Sequence, residues 1–412
     1  MQESKIFTPC KLGPITLRNR TIRSAAFEGM CANNAPTEML YNYHKSVAEG
    51  GIGMTTIAYA SVTRNGLSFP HQLWMREEIV PDLRKITDAI HNAGAAASIQ
   101  LGHCGNMSKK SVAGQLPVSA SNGFNIYSPT FVRRSKRDEI IDLAKAYGKS
   151  VKLAIDAGFD AVEIHAGHGY LIGQFLSKYT NHRHDEYGGS LENRMRFMNM
   201  VMNECLEAGR GKIAVTAKIN MYDGFKYFGG LKQDDCIKVA RQLELIGLDA
   251  LTLSGGFVSK APMHVMRGSM PMKTMSYYMQ PSLVKILSKY FGRILVPTVP
   301  YKEGYFLEDA KKFREKLNIP LIYVGGLISK KKIEEVLDSG FEFVSMARAL
   351  IHDPSFVNKM KEAEGDINCG CDHLNYCVAR MYSREMACYY KVKDELPKCI
   401  IKEIEKEKQK QH

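Results

Sequence analysis

Short apolar runs alternate with charged stretches of helical length along most of this chain. The runs are six to eight residues long, and the stretches between them are amphipathic and often end in glycine, a residue that stops helices. Strands that are covered by helices on both faces have such continuous apolar runs. The pattern therefore predicts eight strand–helix units, with strands at 21–27, 53–60, 95–101, 160–165, 213–220, 249–255, 320–326 and 341–347.

Eight consecutive strand–helix units predict an α/β protein with an eight-fold β/α barrel, the TIM barrel. A ninth apolar run, 293–299, is excluded from the barrel because Pro297 interrupts it and no clear helix separates it from its neighbours. An open, doubly wound sheet is the competing interpretation. We expect residues 1–365 to form the barrel domain and residues 366–412 to form a C-terminal appendage with a cysteine-containing segment and a lysine-rich tail.

Composition excludes several classes of protein. Hydrophobic residues make up 45% of the 412 positions and charged residues 24%, as in folded globular proteins. No segment approaches the ~18 consecutive apolar residues of a membrane helix, and the N-terminal sequence MQESKIFTPCK has no apolar signal core. We therefore expect a cytoplasmic protein without a membrane partner.

The net charge of +13 comes from 56 basic and 43 acidic residues. An excess of this size raises the question of a nucleic-acid partner. The basic residues are interleaved with acidic ones, however, and no basic cluster alternates with aromatic residues as in nucleic-acid-binding proteins. We interpret the excess as a lysine-rich solvated surface and expect no nucleic-acid partner.

The carboxyl ends of barrel strands carry the active site, so polar residues there are the candidates for chemistry. Gly325, Gly326 and Arg348 follow the seventh and eighth strands. Glycines let backbone N–H groups approach a phosphate closely, and an arginine adds a bidentate contact. These residues predict a phosphate site, although glycines in simple tight turns would give the same pattern.

Two imidazoles and a phenol, His165, His168 and Tyr170, follow the fourth strand. Two imidazole N–H donors can polarise one substrate oxygen, and the phenol can give a proton to an adjacent carbon. A metal site with His103 or Cys104 as the third ligand is an alternative, but the segment lacks the HExxH pattern and a carboxylate partner. Either histidine could also be a strand-end residue with a purely structural role.

The segment 160–197, DAVEIHAGHGYLIGQFLSKYTNHRHDEYGGSLENRMRF, resembles the core motif of the old yellow enzyme family of FMN-dependent oxidoreductases. It is similar in particular to the bacterial branch that includes 2,4-dienoyl-CoA reductase and its shorter, single-barrel relatives. The motifs LRNRTIRSAAFEGM, SIQLGHCG, VGGLIS and SMARALIHDP resemble further family motifs in the same order. The resemblance covers most of residues 5–390 and implies an FMN-containing barrel.

The resemblance also implies a role for each strand-end residue. Gln100 would bond the pyrimidine edge of FMN, and Lys218, which replaces the arginine of many relatives, would place a positive charge beside that edge. His165 and His168 would hold the carbonyl oxygen of the substrate, and Tyr170 would be the proton donor. The residues that would hold FMN are Ser24, Ala25, Ala26, Ala58, Gln100, Lys218, Gly325, Gly326, Ala347 and Arg348, of which the last four would surround the phosphate.

The activity that this resemblance implies is the reduction of activated C=C bonds in α,β-unsaturated carbonyl or enoyl compounds. NAD(P)H would be the electron donor, and the partners would be small molecules, with homo-oligomerisation left open. Flavin-linked amine dehydrogenation or demethylation, and general dye or quinone reduction, are alternatives on the same scaffold. A barrel without flavin, in which Lys218 forms a Schiff base, is a further alternative.

The chain departs from the longer relatives in two respects. Those relatives carry a second FAD- and NAD-binding domain beyond residue ~400, where this sequence stops, so we expect electrons to come from free NAD(P)H or from a separate partner. They also bind a [4Fe–4S] cluster through four cysteines, whereas here Cys371, Cys377 and Cys388 match three positions and Leu374 occupies the fourth. We therefore expect FMN to be the redox cofactor and expect no metal site.

One feature does not come from the resemblance. Residues 263–279 hold six of the twenty-one methionines and lie in the connection after the sixth strand. Because methionine adapts to varied apolar shapes, we interpret this loop as a lid over a hydrophobic substrate, with Arg267 and Lys273 near an anionic group. Loop packing without a substrate role is the alternative.

Overall fold

The computed structural model describes residues 4–125, 129–225, 229–279, 285–286, 292 and 296–409. Its centre is a closed barrel of parallel strands, which we number in chain order. The strands are β1 (Thr21–Arg23), β2 (Met54–Ser61), β3 (Ala96–Gly102), β4 (Ala161–His165), β5 (Ala214–Asn220), β6 (Ala250–Ser254), β7 (Leu321–Val324) and β8 (Phe343–Met346). Each strand overlaps one of the eight predicted runs, and the prediction of a TIM barrel is confirmed.

The described part of the ninth run, residues 296–299, is not a strand of the barrel. Residues 293–295 are outside the described residues, and Val299 pairs with Gly268 in an isolated antiparallel bridge. The eight strands close the barrel without this run, as the interruption at Pro297 led us to expect.

Helices surround the barrel and follow most of its strands. Their apolar faces pack on the strands, which are buried on both sides. The α-helices in the described residues are Glu38–Glu49, Val80–Asn92, Lys110–Ala113, Arg137–Asp156, Leu171–Leu176, Leu191–Gly209, Gln233–Ile246, Pro262–Val265, Met272–Tyr278, Leu307–Arg314, Lys330–Asp338, Arg348–His352, Phe356–Glu362, Tyr376–Arg380 and Lys398–Gln409.

A short hairpin closes the amino end of the barrel. Its strands, Cys10–Leu12 and Ile15–Leu17, pair antiparallel and place Leu12 and Leu17 in a cluster with the first residues of several barrel strands, such as Met54. Burial of these side chains fills the amino end, so a ligand cavity can open only at the carboxyl end.

The register of the barrel brings four polar positions together. Gln100 on β3 is the cross-strand partner of Glu163 on β4, and Lys218 on β5 is the partner of Thr252 on β6. All four side chains are buried. Neighbouring strands therefore place donors and an acceptor at similar heights inside the barrel.

Residues beyond 365 pack along the connection after β6. Leu374, Tyr376, Tyr389 and Ile400 form a small apolar cluster with Tyr278 of that connection. Cys369 belongs instead to the main core of the barrel. The division of the chain at residue 365 stays a prediction. Among the described helices, none combines the length and the apolar character that crossing a membrane requires.

Candidate active site

A cavity of about 950 Å³ opens at the carboxyl end of the barrel. Its size lies at the upper end of the range for small-molecule and cofactor sites. Strand ends and the loops after them line it. The predicted site residues on its wall are Ser24, Ala25, Ala26, Gln100, His165, His168, Tyr170, Lys218, Gly326, Ala347 and Arg348.

Two predicted residues lie behind the cavity wall. Ala58 is buried beside Phe27 and Tyr59. A Cβ atom at Gly325 would lie 2.4 Å from the hydroxyl oxygen of Tyr323, which bonds the Gly325 carbonyl at 3.2 Å. A side chain at residue 325 would therefore clash with Tyr323. The flavin-contact and phosphate roles of Ala58 and Gly325 stay predictions.

A buried carboxylate that the sequence interpretation missed organises one side of the cavity. Glu163 Oε1 lies 2.9 Å from Lys218 Nζ and accepts a hydrogen bond of 2.7 Å from Gln100 Nε2. Thr252 Oγ1 donates to Glu163 Oε2 at 2.6 Å. An ionised carboxylate only accepts hydrogen bonds, and its three partners here are donors. Glu163 therefore fixes Gln100 and Lys218 side by side at the cavity wall.

His168 adopts a left-handed backbone conformation, with φ of +57°. This conformation is costly for a residue with a side chain. Two hydrogen bonds hold it: the backbone N–H donates to Asn220 Oδ1 at 2.9 Å, and Nε2 lies 2.7 Å from Ser254 Oγ. The ends of β5 and β6 therefore aim the His168 ring.

His165 and His168 lie against each other, with ring centroids 5.1 Å apart. Burial, followed by the charge of Lys218, lowers the pKa of His168 to about 3. Burial also lowers the pKa of His165 well below its usual value, with smaller effects from His168 and Lys218. Nδ1 of His165 is buried and has no hydrogen-bond partner among the described residues. At neutral pH the pair therefore presents uncharged imidazoles, one of them with an unused polar atom.

Tyr170 completes this group, because its ring centroid lies 4.5 Å from that of His165. Burial raises the pKa of Tyr170 above its usual value, so the phenol is protonated at neutral pH. The ring of Tyr59 lies 5.2 Å away, and its hydroxyl contacts Ser68 Oγ. The sequence interpretation did not identify Tyr59, which lies inside an apolar run.

Arg348 and Gly326 lie at the opposite side of the cavity. Arg348 Nη1 donates to Asn375 Oδ1 at 2.7 Å and to the Arg267 carbonyl at 2.6 Å. Gly326 has a φ of +69°, and a Cβ there would lie 2.6 Å from the Tyr305 ring. Arg267 Nε is buried without a hydrogen-bond partner in the described part of the chain. This side of the cavity therefore combines two arginines with a backbone turn at Gly326 that has no room for a side chain at that position.

The methionine-rich loop forms another wall of the same cavity. Four of its methionines line the cavity: Met266, Met272, Met275 and Met279. The C-terminal segment adds Met381 and Tyr382. Whether the loop opens and closes as a lid stays a prediction, but its contact with the cavity agrees with a role in ligand binding.

The alternative of a metal site at His165 and His168 lacks a third ligand. His103 Nδ1 accepts a hydrogen bond of 3.0 Å from the Gly105 N–H, and Cys104 Sγ points to the Gly105 carbonyl. In the ranges that the structure covers, no group of three His, Cys, Asp or Glu side chains is placed to hold a metal ion.

Three of the C-terminal cysteines line a small cavity of about 20 Å³ next to the main one. We call it the three-thiol cavity, because Cys371, Cys377 and Cys388 line it together with Leu374. Leu374 is buried in the apolar cluster of the C-terminal segment. Whether this cavity takes up iron stays a prediction.

The carboxyl end of a β/α barrel is where its active site lies, and this chain places uncharged imidazoles, a phenol and cationic donors there. Residues 5–290 match the model of the NADH:flavin oxidoreductase / NADH oxidase family. The chain belongs to this family, which includes old yellow enzyme, and is an NAD(P)H-dependent flavin oxidoreductase.

Two curated relatives are similar over much of the chain. The 4,4'-dithiodibutanoate disulfide reductase of Rhodococcus erythropolis is 39% identical over 379 residues, which cover 92% of this chain and 93% of the relative. An NADPH dehydrogenase of Listeria monocytogenes is 34% identical over 264 residues, or 63% of this chain and 76% of the relative.

Solved structures share the fold. A 2-naphthoyl-CoA reductase in complex with 2-naphthoyl-CoA matches with a TM-score of 0.78 and 22% identity over 93% of this chain, which spans only 56% of that longer chain. The old yellow enzyme homologue from Zymomonas mobilis matches with a TM-score of 0.71 and 23% identity, covering 92% of this chain and 97% of that one. At these identities the likeness concerns the fold alone.

Proposed function

We propose that this protein is an FMN-dependent ene-reductase that reduces activated C=C bonds with electrons from NAD(P)H. The observation that carries the proposal is the grouping of His165, His168 and Tyr170 on one wall of the cavity. These three side chains are the donors that an unsaturated carbonyl compound needs for its reduction.

The residues around the cavity fit FMN. Lys218 and Gln100 are donors that suit the acceptor-rich pyrimidine edge, and Arg348 suits a phosphate. Ser24, Ala25 and Ala26 are small and leave room for a flat ring system. The left-handed turn at Gly326, where a Cβ would collide with Tyr305, gives a phosphate close access to the backbone. When bound, the flavin supplies hydride transfer, which the protein alone does not provide.

The histidine pair and Tyr170 account for the other requirements of the reaction. Reduction of an enone adds a hydride to the β-carbon and a proton to the α-carbon, and negative charge builds up on the carbonyl oxygen between these events. Neutral imidazole N–H groups of His165 and His168 stabilise that oxygen by hydrogen bonds. Tyr170, which is protonated at neutral pH, gives the proton. The buried, unused Nδ1 of His165 supports a ligand at this position.

We further propose that FMN is the redox cofactor and that the three-thiol cavity holds no [4Fe–4S] cluster. A cluster of this kind uses four ligands. The buried Leu374 side chain lines the cavity where a fourth thiolate would be needed. Leucine has no lone pair to offer.

An anaerobic assay tests the ene-reductase activity. Purified protein with its flavin, NADPH and 2-cyclohexenone should yield cyclohexanone, with the new hydrogens at the α- and β-carbons. Parallel reactions with a secondary amine and with a quinone test the alternatives. Oxidation of the amine together with inert enones would overturn the proposal.

A second candidate function is the reduction of organic disulfides, favoured by the 39% identity to the disulfide reductase of Rhodococcus erythropolis. In this reaction the S–S bond breaks, one sulfur receives a hydride, the other leaves as a thiolate, and a proton from Tyr170 gives the second thiol. The same reduced protein should then be offered 4,4'-dithiodibutanoate and 2-cyclohexenone in competition. A kcat/KM that is higher for the disulfide would favour this second function.

A further inference from the structure

The methionine-rich loop contains a short helix, Met272–Tyr278, that has two different faces. Met272, Met275 and Met279, spaced three and four residues apart, lie on one side and line the cavity. We call these three residues the methionine wall. Thr274 and Tyr278, four residues apart, contact the C-terminal segment instead.

The C-terminal helix, Lys398–Gln409, holds this short helix by its amino end. Glu403, which is 6% exposed, accepts hydrogen bonds from the backbone N–H of Thr274 at 2.7 Å and of Lys273 at 3.2 Å. Thr274 Oγ1 donates to the same carboxylate at 2.7 Å. A carboxylate satisfies the free N–H groups of a helix start and is favoured there by the helix dipole.

Two further contacts join the methionine-rich loop to the C-terminal segment. Ser269 Oγ donates to Glu407 at 3.1 Å, one turn further along the C-terminal helix. The Tyr278 hydroxyl lies 3.0 Å from that of Tyr376. Glu403, Glu407 and Tyr376, which do not line the cavity, thus hold the loop that carries the methionine wall through hydrogen bonds.

The methionine wall continues towards the proton donor. Tyr382 packs against a cluster that contains Met272 and Met275, and its ring lies 6.2 Å from the ring of Phe69. Phe69 belongs to the cluster that contains Tyr170. Contacts through Tyr382 and Phe69 therefore link the methionine wall to the cluster that contains Tyr170.

We propose that Glu403 is a positioning residue that holds the methionine wall, and that this wall selects substrates with a bulky apolar group beside the activated bond. The part of the proposal that concerns substrates rests on the proposed ene-reductase function. The part that concerns the binding of apolar ligands does not. Methionine side chains adapt to varied apolar shapes, and a backbone that is held in place keeps them at the cavity wall. The C-terminal helix thus takes part in substrate selection without touching the substrate.

The experiment compares Glu403→Gln with Glu405→Gln. Glu405 is exposed on the same helix and provides a control of equal charge change. In Glu403→Gln, the amide cannot accept a hydrogen bond through its nitrogen, so one of the N–H groups of the helix start loses its partner. Thr274→Val, which removes one hydrogen bond and no charge, is a milder second variant if Glu403→Gln folds poorly.

The first measurement is ligand binding to the oxidised protein, monitored through the absorption spectrum of the bound flavin. The ratio of the Kd values for phenol and 2-naphthol gives the preference for the larger ring. We expect Glu403→Gln to lower this preference by about tenfold, roughly the value of a charge-assisted hydrogen bond, and Glu405→Gln to keep it. An unchanged preference in both Glu403→Gln and Thr274→Val would overturn the proposal.

The second measurement is the ratio of kcat/KM for 4-phenyl-3-buten-2-one and 2-cyclohexenone, which should fall in parallel with the binding preference. If the wild-type protein reduces neither enone, the ene-reductase function fails while the binding ratio still tests the methionine wall. Trypsin should also cut at Arg267 or Lys273 faster in Glu403→Gln than in Glu405→Gln. Equal cleavage rates would contradict the fastening of the loop by Glu403.

Discussion

Glu163 allows a sharp test of the flavin site, because it is a negative charge buried directly behind a positive one. Its carboxylate lies 2.9 Å from Lys218 Nζ and also bonds Gln100 and Thr252. Glu163→Gln removes the charge and keeps the shape. The new amide nitrogen can face Thr252 Oγ1, since a hydroxyl can accept as well as donate. We therefore expect the variant to fold and to bind FMN.

The expected effect is a higher reduction potential of the bound flavin. A flavin atom that bonds Lys218 Nζ at an ordinary hydrogen-bond distance would lie about 6 Å from the Glu163 carboxylate. At that distance and an effective dielectric constant of ~20, removal of one negative charge stabilises an anionic reduced flavin by about 2.8 kcal/mol. For a two-electron couple this corresponds to a rise of about 60 mV.

The assay is a spectroscopic redox titration against reference dyes. Lys218→Met should shift the potential in the opposite direction, because it removes the positive charge. Thr252→Val, which changes a hydrogen bond but no charge, should leave the potential nearly unchanged. A potential of Glu163→Gln that stays the same or falls, with normal flavin content, would refute the placement of Glu163 and Lys218 beside the flavin.

The remaining predictions concern the other groups around the two cavities. Tyr170→Phe should lose about 10²-fold or more of its alkene reduction but keep flavin reduction by NADPH in stopped-flow traces; equal losses in both half-reactions would exclude Tyr170 as the acid. Replacement of His165 and His168 by alanine should abolish the spectral change on phenol binding, and tight phenol binding by the variant would place the oxyanion site elsewhere. Arg348→Ala should raise the Kd for FMN by about tenfold or more. If it shifts the reduction potential instead, Arg348 lies beside the pyrimidine edge and not beside the phosphate. Protein purified without oxygen should contain flavin and no iron, whereas about four iron and four sulfide per chain would establish a cluster in the three-thiol cavity.

The fold was predictable because barrel strands carry a strong local signal. Each strand is buried on both faces and therefore appears in the sequence as an unbroken apolar run, such as the run that became β5. The run at 293–299 is similarly apolar, and only Pro297 and the lack of a clear helix between it and its neighbours argued against including it. The bounds of β1 were less accurate, because Ser24, Ala25 and Ala26 continue the apolar pattern but lie beyond the strand.

The position of the candidate site followed from the same pattern, since polar residues at strand ends must converge at one end of a barrel. His165, His168 and Tyr170 were found in this way, and the structure brings them together. Tyr59 was missed because an aromatic residue inside an apolar run has the appearance of core packing. The polar partner of its hydroxyl, Ser68, comes from a loop whose position the sequence does not reveal.

Glu163 shows why the remainder of the site could not be predicted from local patterns. It lies two residues before His165 in the middle of an apolar strand. A carboxylate at such a position must have a buried hydrogen-bond or charge partner, but the local sequence does not show which residue that is. The partners Gln100, Lys218 and Thr252 come from three other strands. Which residues share a height inside a barrel depends on the stagger between neighbouring strands, which is a property of the closed sheet. A sequence fixes the order of residues along each strand, whereas the charge balance around Lys218 depends on the register between strands.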